Sequence, residues 1–373
     1  MKHTNFKIGD PRTDKEVNAL ANTVTNREAI DLINKMKDLV NEVSKQDTLQ
    51  DRNILTRNNN CVIENFSELA EALEWAGISF GEDQTVLIQK SLKRLARDSG
   101  ASHVKFFGKI YGRQADYWVA QGVKKQAEEN PLSRQQEARG QGANATVFWV
   151  TNNVMNDWIQ LPDVQPEHIV AARQIAWLLT GKLNSEIDSN PPFPGKERNY
   201  LRAQLARIQH TCEIIPKGMY EIDEETQEQK YAEEFAIPST DELKSLEVWA
   251  HANPILLKAG RCTHIEPEGL GDEEKEEVMA KLAEDDKTEE RFKAINDNTK
   301  LGKLDAWSSK IGGDLQSYNK VGGEGTLTYA VNIIRSNRWP GAVTVQKGGK
   351  FCNLYVGDGM KRDQTFYSPI EPP

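Results

Sequence analysis

The chain has 373 residues, 38% of them apolar and 28% charged, and a formal charge of −9. That length supports a large core of about two or three domain-sized units, and the acidic balance argues against a nucleic-acid partner, whose binding rests on clustered Lys and Arg neutralising phosphates. No run of about 18 apolar residues is present, so no membrane-spanning helix is expected.

Residues 1–25 are polar and lack the apolar centre of a secretory signal, so they read as a flexible tail. Four cysteines, none in a Cys-x-x-Cys pair, make no disulfide framework. The chain therefore reads as reduced and cytoplasmic, with the sequons at Asn65 and Asn144 unused. Residues 26–100 read as a helical region. Ile33, Met36, Val40 and Val43 recur three and four apart, which predicts an amphipathic helix over 27–46. Shorter helical patterns follow at 67–75 and at 85–97, the second with Leu87, Ile88, Leu92 and Leu95 on one face.

From residue 101 the period changes to two. Val104, Phe106, Gly108 and Ile110 alternate with Lys105, Phe107, Lys109 and Tyr111, and 116–121 and 145–151 are rich in aromatic and β-branched residues. All three stretches read as strands. Residues 122–144 read as a polar loop with some helix. Pro166 opens a helix with Glu167 in its first turn, and Gly181 closes it.

The most specific stretch is 191–208, PPFPGKERNYLRAQLARI. Pro191, Pro192 and Pro194 restrict φ and lack an amide donor, so they form a stiff turn. Gly195 releases the chain, Glu197 stands in the first turn of a helix, and Leu201, Leu205 and Ile208 recur at helical spacing. The segment reads as a rigid internal corner joining two halves of one body. Acidic inserts near 221–243 and 271–291 read as solvated loops, and the glycine-rich stretch 311–325 as a mobile one. Strands are expected at 326–335, 342–346 and 351–356, with a tight turn over 336–341. The fold class expected is α+β: an N-terminal helical segment, then over 101–373 a mixed body of antiparallel strands and short helices with long acidic loops.

Few residues carry chemistry. His210 and Cys212, with Cys262 and His264, would present four zinc ligands if each pair lay on a strand, where i and i+2 share a face. The spacing is tighter than structural zinc sites use, so four ordinary, partly buried residues are the simpler reading. No cofactor is expected. None of the cysteines sits in a helix-opening or Gly-x-Ser-x-Gly setting. His168, in the first turn after Pro166, reads as exposed, and His251 as a satisfied structural group. The glycines at 348–349 and 357–359 lack phosphate-loop spacing and read as hairpin turns. Pro191-x-x-Pro194 fits a groove that recognises proline-rich peptides, but a turn held beside its own helix is the better reading. Trp339 is a buried plug or an interface anchor. The structural or interface candidates are Pro194, Gly195, Tyr200, Leu201, Arg202, Leu205, Arg207, Trp339, Pro340 and Gly341.

The 191–208 run, preceded by IVAARQIAWLLTGKL at 169–183, resembles the signature of the radial spoke head proteins, the subunit 4/6 (radial spokehead-like) family. Blocks at 75–83, 107–110, 116–122, 148–152, 260–262, 306–307 and 335–355 are similar to family segments in the same order, whereas 1–60 match only loosely. The resemblance implies a structural, non-catalytic subunit of the radial spoke head, in the axoneme of motile cilia and flagella. There it would contribute to head assembly and to mechanical signalling from the central pair to the dynein arms. The partners implied are a paralogous or identical 4/6-type subunit, the smaller head subunit 9, MORN-repeat head subunits, spoke stalk proteins and, transiently, central-pair projections. No nucleic acid and no membrane is implied. A cytoplasmic adaptor of the same fold is the alternative, and a zinc-binding adaptor or enzyme a minor one.

Overall fold

The computed structural model describes residues 66–124, 135–222, 229–232, 235–265, 267, 269, 271–285, 292–298, 305–313, 317–319, 326–328 and 330–362. The helix expected over 27–46 lies outside them. Helices α1 (Phe66–Trp75) and α2 (Glu82–Ser99) come first. Glu82 and Asp83 in the first turn of α2, Arg97 in the last and a left-handed Gly100 after it complement the helix dipole and stop the helix.

A meander follows: β1 (Ala101–Ile110), β2 (Tyr117–Lys124), β3 (Val147–Thr151) and β4 (Ile159–Gln160). Two helices come next, α3 (Pro166–Gln174) and α4 (Glu197–Cys212). Short strands β5 (Ile214–Pro216), β6 (Tyr220–Ile222), β7 (Gln229–Tyr231) and β8 (Trp249–His251) lead to α5 (Asp272–Asp285). The remaining strands are β9 (Trp307–Gly312), β10 (Ser317–Asn319), β11 (Thr326–Thr328), β12 (Val331–Ser336), β13 (Ala342–Lys347) and β14 (Lys350–Gly357).

Eight strands form one sheet in the order β4-β3-β2-β1-β14-β13-β12-β9. Every neighbouring pair is antiparallel except β1 and β14, which run parallel at the seam between the two meanders. Gly108 sits at that seam with φ +147°, and a Cβ there would lie 1.8 Å from the Tyr355 carbonyl oxygen. A side chain at this position cannot coexist with the pairing.

Both faces of the sheet are covered, and the pleat sorts residues between them. Tyr117, Val119, Phe148, Val150, Phe351 and Tyr355 belong to the core under α3 and α4. Their neighbours Trp118, Ala120, Val147, Trp149, Cys352 and Leu354 belong to the core under α1 and α2. The α+β class expected from the sequence is therefore the class observed.

Several local expectations change. The helix opened by Pro166 ends at Gln174 and does not run on to Gly181, because Ile175 turns extended. The 311–325 stretch contains the end of β9 and all of β10, and the first acidic insert contains β7. The stretch 326–335 is two strands, and β11 pairs with β10 rather than joining the large sheet. Residues 272–285, inside the second acidic insert, are helical. Helix α4 is enclosed almost all round, with thirteen of its sixteen residues buried.

Candidate functional site

The polar interior around α4 holds most of the residues singled out above. Its N-terminal residue, Glu197, is fully buried. The carboxylate accepts hydrogen bonds from the Thr180 and Gly181 backbone amides at 2.9 Å, the Thr180 hydroxyl at 2.8 Å and the Tyr117 hydroxyl at 2.8 Å. Burial, and then the Glu197 carboxylate beside it, raise the Tyr117 pKa well above its usual value. The carboxylate thus clasps the turn at 180–181 to β2 and to the start of α4. An acid at this position does more than favour the helix dipole.

The proline turn rests on the same helix. Phe193 is buried and meets the Tyr200 ring edge-on, with centroids 5.5 Å apart. The Tyr200 hydroxyl accepts from the Trp177 amide at 3.3 Å and from Gln204 Nε2 at 2.9 Å. Pro194 and Gly195 are exposed on the rim of the turn. His168 stacks on Phe193, with centroids 5.6 Å apart, and is buried. The expectation that it is exposed is wrong, because the proline turn folds over it. Burial lowers its pKa.

Two arginines lie inside. The Arg202 guanidinium donates to Ala143 O at 2.9 Å and to Asn144 Oδ1 at 3.2 Å, and lies 4.9 Å from the Phe148 ring centroid. Burial pulls its pKa down to about 10, so it is still a cation at neutral pH. Asn144 is itself enclosed and donates to Glu137 O at 2.8 Å and Val164 O at 3.0 Å. Glu137 accepts from the Ala143 amide at 2.8 Å and the Cys262 amide at 3.0 Å, which draws the 260s loop onto the 142–144 turn. Arg207 donates to Ala172 O and Gln204 Oε1, each at 2.7 Å, and sits 5.3 Å from the Trp339 ring centroid.

Trp339 is 1% exposed and is a buried plug. Beyond it Pro340 is exposed, and Gly341 adopts φ +102° where a Cβ would lie 2.2 Å from Val356 O. Tyr200, Leu201, Arg202, Leu205 and Arg207 are all buried, so none of them is a surface contact.

The zinc arrangement fails on its premise. His210 and Cys212 lie on α4, not on a strand, and two residues along a helix are about 200° apart around its axis. His210 Nδ1 makes a 2.7 Å hydrogen bond with the Pro254 carbonyl and lies 3.7 Å from Cys262 Sγ. Cys212 instead lines a crevice beside Glu213 that has room for about one water. Among the described residues no three His, Cys, Asp or Glu side chains gather as metal ligands.

The thiols of Cys212 and Cys352 are pushed up to about 12 by burial, so neither is a ready nucleophile. Glu213 at the crevice is different: burial opposes its charge, but Lys105, 2.8 Å away, and Asn253 outweigh it and lower its pKa. What this arrangement does is mechanical. Buried charges on α4 hold the turns at 142–144 and 180–181, and α3 at Ala172, by their backbone groups. Sequence reasoning missed Glu137, Asn144, Thr180 and Tyr117, because no local pattern marks a buried acceptor for a distant loop.

A family model described as radial spokehead-like protein matches residues 2–137 and 121–373. A human protein, radial spoke head protein 4 homolog A, is 29% identical over 360 residues, covering 83% of this chain and 49% of its own length. Radial spoke head protein 6 homolog A of Xenopus tropicalis is 31% identical, covering 82% of this chain and 67% of its own. Flagellar radial spoke protein 4 of Chlamydomonas reinhardtii is 30% identical, covering 83% and 69%. The chain spans about half the length of the human relative.

Proposed function

We infer the role of this chain from one premise: it belongs to the radial spokehead-like protein family. Its function is that of a structural, non-catalytic subunit of the radial spoke head in the axoneme of motile cilia or flagella. The observation that carries this is the family match, which runs from residue 2 to residue 373 and so takes in both meanders and α4. The physical picture supports it. Glu197, Arg202 and Arg207 of α4 are buried and hydrogen-bond to backbone groups of the turns at 142–144 and 180–181 and of α3, and two of the thiols stay protonated. Such an interior suits a rigid body that transmits force.

Within the spoke the partners are other head subunits: a paralogous or identical 4/6-type chain, the smaller subunit 9 and MORN-repeat subunits, with stalk proteins below and central-pair projections in transient contact. Deleting the encoding gene in a cell with motile cilia is expected to leave cilia that beat abnormally on spokes without heads. Cryo-tomography of those axonemes is the test, and intact heads would overturn the assignment. Detergent extraction adds a second readout, because a free cytoplasmic adaptor would leave with the soluble matrix while a head subunit stays with the axoneme.

A further inference from the structure

Helix α2 turns a row of cations away from the core, opposite in sign to this acidic chain as a whole. Its buried residues, Ile88, Ser91, Leu92 and Leu95, take up about 100° of its circumference. Lys90, Lys93, Arg94 and Arg97 share about 100° on the opposite side, with Val86 one turn ahead of Lys90 in the same arc. Lys90, Lys93 and Arg97 are exposed, and Val86 is 42% exposed. Arg94 leans on the loop before β4, its guanidinium donating to Met155 O at 3.4 Å and Asn156 O at 2.5 Å. Met155 therefore lies beside the row, and it is 61% exposed. Two carboxylates stand at the margin: Asp98, 3.7 Å from Arg97 Nε with both side chains mostly exposed, and Asp157 on the loop. Lys90 and Lys93 enter no ion pair among the described residues. The helix itself gains little from the row. Only Arg97 stands in the last turn, where the dipole favours a cation, whereas Lys90 with Arg94, and Lys93 with Arg97, are like charges four apart that repel.

We propose that this face of α2, with Val86 and Met155 at its borders, docks an acidic helix of a partner protein. Charge complementarity selects the partner. The cations rise over about 10 Å at intervals of three and four residues, the spacing at which a second helix presents carboxylates along one face. Such a helix laid alongside meets each cation and relieves their mutual repulsion. Val86 and the adaptable Met155 then seat its apolar side chains. A lipid surface fits less well, because the apolar face of α2 is already buried in the core. Four cations are also too few to hold a polyphosphate backbone against a chain charge of −9. Membership of the spoke head names no docking residue, so this surface goes beyond it.

The test uses the full chain and a fluorescein-labelled Ala-rich helical peptide with Glu three and four residues apart and one leucine, followed by anisotropy across a salt series. The triple variant Lys90→Glu, Lys93→Glu, Arg97→Glu is expected to bind about tenfold more weakly or worse, and parent binding should fall as salt rises. The same three positions changed to Gln keep good helix formers on α2 and should lose less, in the same direction. A charge-matched control at exposed lysines elsewhere, Lys182→Glu, Lys217→Glu, Lys244→Glu, should stay within about twofold of the parent. Val86→Ser with Met155→Ser keeps the charge and should weaken binding even at high salt. Equal losses in the two charge-reversed sets, or no binding by the parent, would overturn the proposal. So would tighter capture of the parent by phosphatidylserine vesicles than by the peptide, because the ligand would then be a lipid surface. Self-association of the parent in sedimentation, abolished by the α2 triple variant, would overturn it too by making the occupant a second copy.

Discussion

The two faces of the large sheet are covered by helices of opposite character. Under α1 and α2 the contacts are apolar: Leu73, Ile88, Leu92 and Leu95 meet Phe106, Trp118, Trp149 and Val345. The buried polar link there is short, Ser91 Oγ donating to Val154 O at 2.6 Å and receiving Trp158 Nε1 at 2.8 Å. Under α4, by contrast, Glu197, Arg202, Gln204, Arg207, Gln209 and His210 are all buried. Apolar packing is non-directional and tolerates exchange at constant volume. A buried charge with named acceptors tolerates only one placement, because any shift leaves it unpaired in a low dielectric. One face therefore supplies adhesion, and the other supplies a unique arrangement of loops.

The contrast can be broken hardest at Leu205, which is fully buried on α4. Leu205→Asp puts an unpartnered carboxylate into that interior and is expected to cost more than about 5 kcal/mol, which abolishes folding. Circular dichroism of the purified variant checks it, and a native spectrum would mean this side of α4 faces solvent. Next in size is Glu197→Ala, expected to cost about 3–5 kcal/mol in urea unfolding because its donors lose a charged acceptor. On the other face Leu73→Ala should cost about 2–5 kcal/mol, but Leu73→Met less than about 1.5 kcal/mol.

Arg202→Met sharpens the comparison without a large stability change. Overall stability is expected to shift by about 1 kcal/mol or less, as when buried ions yield to apolar isosteres. Amide exchange over 142–146 should nevertheless speed up, since the guanidinium no longer ties the Ala143 and Thr146 carbonyls. Leu73→Met should show no such local loosening.

The smallest effect is a pH dependence of the α4 face. Burial lowers the pKa of His168 and His210 below the ordinary value of 6.5. The unfolded chain then binds more protons than the folded one as pH falls. Their contribution is whole above pH 6.5 and is lost as pH drops through the lowered folded values. Melting temperature should decline over that acidic range, and His168→Gln should flatten part of the slope. An unchanged slope in that variant would place the titration elsewhere.

Much of this fold is legible in the sequence. The alternation at 104–111 and the β-branched runs give strands, and Pro166 and Glu197 mark helix starts, because those signals are local. Strand order is not legible. The parallel pairing of β1 with β14 joins residues such as Gly108 and Tyr355 through no pattern near either. The interior of α4 was hidden for a related reason. Arg202 and Arg207 could be named only as structural or interface candidates, because their acceptors, Ala143 O and Ala172 O, lie 59 and 35 residues away in sequence. His168 was misread in the same way, since its cover comes from Phe193. The zinc pattern came from assuming a strand where the helix continues to Cys212.

The seam at Gly108 has a consequence for synthesis on the ribosome. When β1 to β4 and α4 have emerged, β1 still has one open edge, and only β14 fills it. The half already made would present that strand, Phe106 and Phe107 included, to any other unfinished chain nearby. A transcript interrupted before residue 350 would therefore yield a sticky intermediate instead of a smaller stable domain.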